Sequence, residues 1–103
     1  MSVTVDNSAP TTSVVVPSNG ATLSGSQYLD ATASVGTTYV TYELNGNGLS
    51  NDVIATAVPT VYGWIGAWDT TTVPNGAYIL RSVASDSGGV TVTSPPVAIT
   101  VSN

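Results

Sequence analysis

Cysteine, histidine and lysine are all absent from these 103 residues. Without cysteine there is no disulfide framework, no thiolate nucleophile and no cysteine-based zinc site. Without histidine the usual general base, the usual proton shuttle and the commonest metal ligand are gone together. Charge is nearly as scarce. Six carboxylates face a single base, Arg81, for a net charge of −5. Such a surface repels nucleic-acid phosphates and offers no cluster of cations to release counterions. It is equally unsuited to anionic membranes. No apolar run approaches the roughly 18 residues of a membrane span, and no signal peptide is visible. Because Met1 runs straight into Ser2-Val3-Thr4-Val5, the expectation is a domain excised from a longer parent.

What is present is a β-forming composition. Thr and Val dominate, and hydrophobic residues make up 42%, with two Trp and five Tyr. That is enough apolar matter for one core without staples, so disorder is excluded and a single domain is expected.

Short alternating segments recur every ten to fifteen residues, punctuated by Gly, Pro and Asn, the pattern of a sandwich or barrel. The first strand is read at Thr12–Val16, with a short continuation at Ala21–Leu23. The second, Gln27–Val35, turns Leu29, Ala31 and Ala33 inward and Tyr28 outward. The third, Thr38–Leu44, turns Val40, Tyr42 and Leu44 inward and Tyr39, Thr41 and Glu43 outward, and Asn45-Gly46 closes it. A weaker strand at Val53–Ala57 is stopped by Pro59. In Val61–Thr70, regular alternation places Tyr62, Trp64, Gly66 and Trp68 on one face, with Gly66 making room for the indoles or marking a bulge. Ala77–Ser85 follows, then the Asp86-Ser87-Gly88-Gly89 hairpin and a last strand, Val90–Val101. Pro95-Pro96 inside it must sit at an edge, a bulge or a switch between sheets. No window carries a capped helical period.

One internal similarity stands out. Val3-Thr4-Val5-Asp6-Asn7 nearly repeats Ile99-Thr100-Val101-Ser102-Asn103. The simplest account makes residues 1–9 the tail of a preceding repeat plus linker, loosely ordered, and residues 10–103 the domain itself.

The run Trp68-Asp69-Thr70-Thr71-Thr72-Val73-Pro74-Asn75-Gly76-Ala77-Tyr78-Ile79-Leu80, with Val83-Ala84-Ser85-Asp86 after it, resembles the bacterial immunoglobulin-like (Big-type) repeats. The Pro17…Gly20…Leu23-Ser24-Gly25 start, Leu29-x-Ala31-x-Ala33 and Val40-Thr41-Tyr42-Glu43-Leu44-Asn45-Gly46 agree with it, so the resemblance spans about residues 10–103. It implies an all-β, immunoglobulin-like two-sheet antiparallel sandwich of about seven strands. Tyr78-x-Leu80 then falls where such a sandwich carries its tyrosine corner and second cysteine, with Leu80 in the cysteine's place and Trp68 filling the core. The chain departs from the family at Ser34-Val35-Gly36-Thr37-Thr38, where an Asp-rich turn is usual, and at Asp86-Ser87-Gly88-Gly89. Both departures weigh against a carboxylate-lined calcium site, leaving only a weak interdomain one at Asp6 or Asp86.

Catalysis finds no footing, because only Asp6, Asp30, Glu43, Asp52, Asp69 and Asp86 remain as titratable acids and none forms a pair. Asp69 and Asp86 read as turn formers. The internal isopeptide bonds of some related domains need a lysine, which is missing, and an ester analogue from a Thr and Gln27 would lack an activating histidine. Aromatics are the remaining chemistry. Trp68 and Trp64 read first as core. The candidate ligand contacts are Tyr62, Trp64, Tyr28 and Tyr39, the last two set outward by register. The expectation is a monomeric, extracellular or cell-surface domain without catalytic or metal residues and without a cofactor. It serves as spacer or adhesion repeat beside neighbouring domains of its own chain. The alternatives are a polysaccharide- or surface-protein-binding module, or an engineered scaffold on this fold.

Overall fold

A computed structural model describes residues 10–103; the tail and linker expected over residues 1–9 lie outside the described residues. Ten strands appear, β1 Thr12–Val16, β2 Ala21–Leu23, β3 Ser26–Ala33, β4 Thr37–Gly46, β5 Leu49–Thr56, β6 Val58–Thr60, β7 Gly63–Asp69, β8 Gly76–Asp86, β9 Thr91–Thr93 and β10 Val97–Val101. One 3-10 turn, Thr70–Thr72, links β7 to β8. They form two sheets. The first runs β1-β3-β7-β6, and the second β2-β10-β8-β4-β5, with β9 also on β8.

The count exceeds seven because two segments pass from one sheet to the other and the last strand is broken in two. β1 pairs with β3 in the first sheet, and beyond Pro17 the chain continues as β2, parallel to β10 in the second. At the other side β5 pairs with β4, and beyond buried Ala57 the chain continues as β6 on β7. The Ala57 N–H still donates to the Val40 carbonyl of the sheet it leaves, at 2.9 Å. Pro59, expected only to stop a strand, sits inside β6, an edge strand where its missing N–H costs no ladder bond. Both sides of the sandwich are thus closed by a strand that changes sheets.

Alternation sets the core as the sequence implied. Leu29, Ala31, Val40, Tyr42, Leu44, Tyr78 and Leu80 are buried, and Trp68 is only 4% exposed. Thr41 is buried despite its outward register, flanked by Thr56 and Val83 on the neighbouring strands.

Three local expectations are corrected. The β4–β5 turn is made by Asn47-Gly48 rather than Asn45-Gly46: both take positive φ, 48° and 87°, as a type I′ hairpin requires. β4 runs on to Gly46, and the Asn45 carboxamide is spent on Asn51, whose N–H it accepts at 2.8 Å. Val61 and Tyr62 belong to the β6–β7 turn and not to the strand. Gly63 follows them at φ 121°, where a methyl group would collide with the Asp30 carboxylate and, at 2.8 Å, the Ala31 carbonyl. The space beside Gly66 is filled by a phenol, not by indoles. A Cβ there would lie 3.0 and 3.1 Å from the Tyr42 ring and 3.2 Å from the Ala55 methyl.

The last strand is broken at Ser94-Pro95-Pro96 into β9 and β10, both against β8. Buried Ser94 carries the chain across the break. Its Oγ accepts the Ser82 N–H at 2.8 Å, and its own N–H donates to the Ser82 carbonyl at 2.8 Å. The Ser82 hydroxyl in turn shares a 2.8 Å hydrogen bond with that of Thr12, so β8 is tied to β1 across the two sheets. Leaving any of these buried hydroxyls unpaired would cost free energy, which is why serine and threonine sit here among aliphatics.

Tyr78 is 2% exposed, and its hydroxyl donates to the Pro74 carbonyl at 2.5 Å, four residues upstream. That is the tyrosine corner the sequence placed there. Tyr78→Phe should lower unfolding stability in urea by about 1–2 kcal/mol, the worth of one buried hydrogen bond. A loss too small to detect would mean the corner does not hold the β7–β8 connection.

Candidate functional site

The four aromatic candidates do not converge. Tyr28 stands on the outer face of the first sheet, 75% exposed, beside Ala67 of β7. Tyr39 lies on β4 in the second sheet, 50% exposed beside Ser85. Tyr62 is 81% exposed at the tip of the β6–β7 turn, where the Thr60 hydroxyl accepts its N–H at 3.1 Å. Trp64 is half-buried on the inner side of β7 and packs on the core. A continuous aromatic strip, which sugar stacking would use, is therefore not formed by these residues.

Among the described residues, three of the surface depressions bear on these candidates or on the sheets beside them. The first, about 420 Å³, gathers Ser26, Gln27, Tyr28, Ala67, Trp68 and Asp69. Its polar groups are partly committed. Gln27 Nε2 donates to the Ser24 carbonyl at 2.6 Å, and Asp69 Oδ1 accepts the Thr71 hydroxyl at 2.6 Å and the Thr71 N–H at 3.0 Å. The Trp68 indole N–H is buried with no partner. A second depression, about 400 Å³, holds the lone base Arg81 with Glu43, Asn45, Asn51 and Thr93. The third, about 330 Å³, is an apolar trough on the second sheet with Ala77, Ile79 and Ala98 in its lining. Sequence reading missed this trough. Its signal was present in the small outward alanines of two strands, but their adjacency, Ala98 beside Ile79, is set by long-range pairing.

Two of the carboxylates, Asp69 and Asp86, are spent on turn hydrogen bonds, whereas Asp30 Oδ1 is buried without a partner. Asp86 Oδ1 accepts the N–H groups of Gly88 at 2.9 Å and Val90 at 3.0 Å, closing the β8–β9 hairpin. Among the described residues no three His, Cys, Asp or Glu side chains group as metal ligands do. Burial, with a smaller contribution from the Asp30 charge, holds the Tyr42 phenol above its ordinary pKa, so it is a hydrogen-bond donor at every physiological pH.

No protein-family model matches the chain, and no curated protein matches it. Solved structures do. A fibronectin(III)-like module of CbhA from Clostridium thermocellum aligns over 87% of this chain and 93% of its own, at 21% identity and a TM-score of 0.62. CopC from Methylosinus trichosporium OB3b aligns over 87% and 92%, at 15% identity and 0.55. An endo-beta-1,4-mannanase from Thermotoga petrophila aligns over 95% of this chain at 19% identity and 0.69, but this chain spans only 21% of that enzyme. The fold is an immunoglobulin-like sandwich. At these identities the likeness carries fold and nothing of activity.

The Thr71 hydroxyl and then its N–H hold the Asp69 carboxyl below the ordinary carboxylate range. A depressed folded-state pKa contributes stability above the unfolded value, and that contribution is lost as pH falls through the folded one. A carbon-detected NMR titration should place the Asp69 midpoint below the ~3.9 of a free aspartate. Thr71→Ala should move the midpoint back up, and an unmoved midpoint would contradict the assignment.

Proposed function

We propose that this chain is a non-catalytic spacer or adhesion repeat of the bacterial immunoglobulin-like kind. In this reading it works in a tandem array on a secreted or cell-surface protein, without a cofactor, and its partners are neighbouring domains of the same chain. The observation that carries this reading is polarity. β1 begins at one pole of the sandwich, beside the end of β3, and β10 finishes at the other, beside the start of β8. A domain threaded from pole to pole extends an array by its own length, and strands rising about 3.3 Å per residue give each unit a span of roughly 25–35 Å.

Two further features support it. The sheet-switching strands leave few long free edges, and the exposed edge β5 is interrupted by irregular register at Tyr42/Glu43 and Leu44/Gly46, which discourages lateral pairing between copies. The likeness to whole fibronectin(III)-like modules, and to a fifth of a larger enzyme, fits a domain that works as one part of a multidomain protein.

A second reading, a carbohydrate-binding module, draws on Tyr28 beside Ser26 and Asp69 in the 420 Å³ depression. An exposed ring flanked by hydrogen-bonding groups is what a pyranose needs, but the depression offers one ring and largely committed polar groups. Titrating the labelled domain with soluble polysaccharides while following backbone amides separates the two. The spacer reading expects no shifts at Ser26, Tyr28, Ala67 or Asp69. Saturable shifts clustered there would overturn it in favour of sugar binding.

A further inference from the structure

The two poles of the sandwich differ in chemistry. At the pole where β1 begins, the register brings three turns together. Ala33 at the end of β3 faces Thr12, Trp64 near the start of β7 faces Ala31, and Asp86 at the end of β8 faces Thr37. The tips of two of these turns expose Val35 (105%), Val61 (93%) and Tyr62 (81%), while Val90 (45%) closes the third opposite Asp86, behind its Ser87-Gly88-Gly89 tip. Turn tips ordinarily carry Gly, Asn, Asp or Ser, because nothing is gained by holding valine or tyrosine in water. The opposite pole follows that rule, with Ser24-Gly25, Asn47-Gly48 and Pro74-Asn75 in its turns.

That opposite pole is knitted together by Asn103. Its Oδ1 accepts the Gly25 N–H at 2.8 Å and the Thr70 hydroxyl at 3.2 Å. Its N–H donates to Asn75 Oδ1 at 2.9 Å, and its carbonyl accepts from Asn75 Nδ2 at 3.3 Å. In the sequence, Asn7 closes Val3-Thr4-Val5-Asp6-Asn7 as Asn103 closes Ile99-Thr100-Val101-Ser102-Asn103. An asparagine in that role on a preceding domain leaves only Ser8-Ala9-Pro10-Thr11 before Thr12. Five Cα–Cα steps reach at most about 18 Å.

We propose that the valine and tyrosine tips, Val35, Val61 and Tyr62, with exposed Val90 beside them, are the seat for the asparagine-rich pole of a preceding domain of the same kind. The inference rests on the tandem-repeat reading and names the contact that such an array would use. The connection keeps the two poles within about 18 Å of one another. Gly25 and Gly48 present bare backbone and Pro74 an apolar ring, while the Tyr62 ring lies on such a surface and its hydroxyl bonds asparagine amides. The contact is apolar with a polar rim.

The test joins residues 10–98 of one copy to residues 3–103 of a second, so that Val3–Asn7 must serve as the first copy's final strand. Two cooperative folded units in this fusion uphold the tandem reading; a first copy that stays unfolded defeats it and the proposal with it. Given two units, the contact predicts that amide exchange at Val35, Val61 and Tyr62 slows by at least roughly tenfold relative to the single chain. Nitration of Tyr62 should fall in parallel. Val61→Ser with Tyr62→Ser, a change confined to an exposed turn, should release the two units to tumble independently while each stays folded. Unchanged exchange and nitration at these tips, with both units folded, would overturn the contact and leave the array reading standing.

Discussion

The Tyr42 ring lies directly over Gly66, and the two sheets depend on that fit. Tyr42 rises from β4 in the second sheet, crosses the interior and covers the bare Cα of β7 in the first. Its hydroxyl donates to the Trp64 carbonyl at 2.6 Å. That bond reaches β7 at Trp64, whose neighbour on the edge strand β6 is Pro59. A sandwich without cysteine has no covalent bolt between its sheets. Here one large side chain fills the space and bonds the far backbone. The Thr12–Ser82 hydroxyl pair repeats the device in smaller form at the opposite side.

This central contact explains which features were legible in the sequence. Period-two alternation placed Leu29, Ala31, Val40, Tyr42 and Leu44 inward, because each strand must hide one face and a one-residue slip would expose them all, while Tyr78 and Leu80 were placed by the family resemblance. Turn chemistry identified Asp69 and Asp86 as turn formers for a similarly local reason. What alternation cannot carry is partnership between distant segments. Gly66 read as room for neighbouring indoles on its own strand, whereas its occupant comes from a strand more than twenty residues away. The same limit hid the handover at Ala57, the Ser82–Ser94 exchange that lets two prolines stand between β9 and β10, and the apolar trough on the second sheet. In Asn45-Gly46-Asn47-Gly48 two equal turn signals sit side by side, and the pairing of β4 with β8 as far as Asn45 decides for the second.

For the candidate site, the sequence supplied exposure but not convergence. Tyr28 and Tyr39 do face outward, yet on opposite sheets, and Tyr62 stands at a pole. Their dispersal follows from the topology, since β3 and β4 are consecutive strands of different sheets. On the reading proposed above, a domain braced by a cross-sheet phenol and threaded from pole to pole would hold other modules at a distance.

The central claim is that Tyr42 and Gly66 are one energetic unit, and a double-mutant cycle measures that directly. Gly66→Ala in the native background forces a methyl into the ring and should cost about 1–3 kcal/mol in urea unfolding. In a Tyr42→Leu background, already weakened, the same alanine should cost little or even fill part of the vacated space, giving a coupling of roughly 1 kcal/mol or more. Equal losses from Gly66→Ala in both backgrounds would contradict the account, because the glycine would then be required by its own strand and not by the phenol above it.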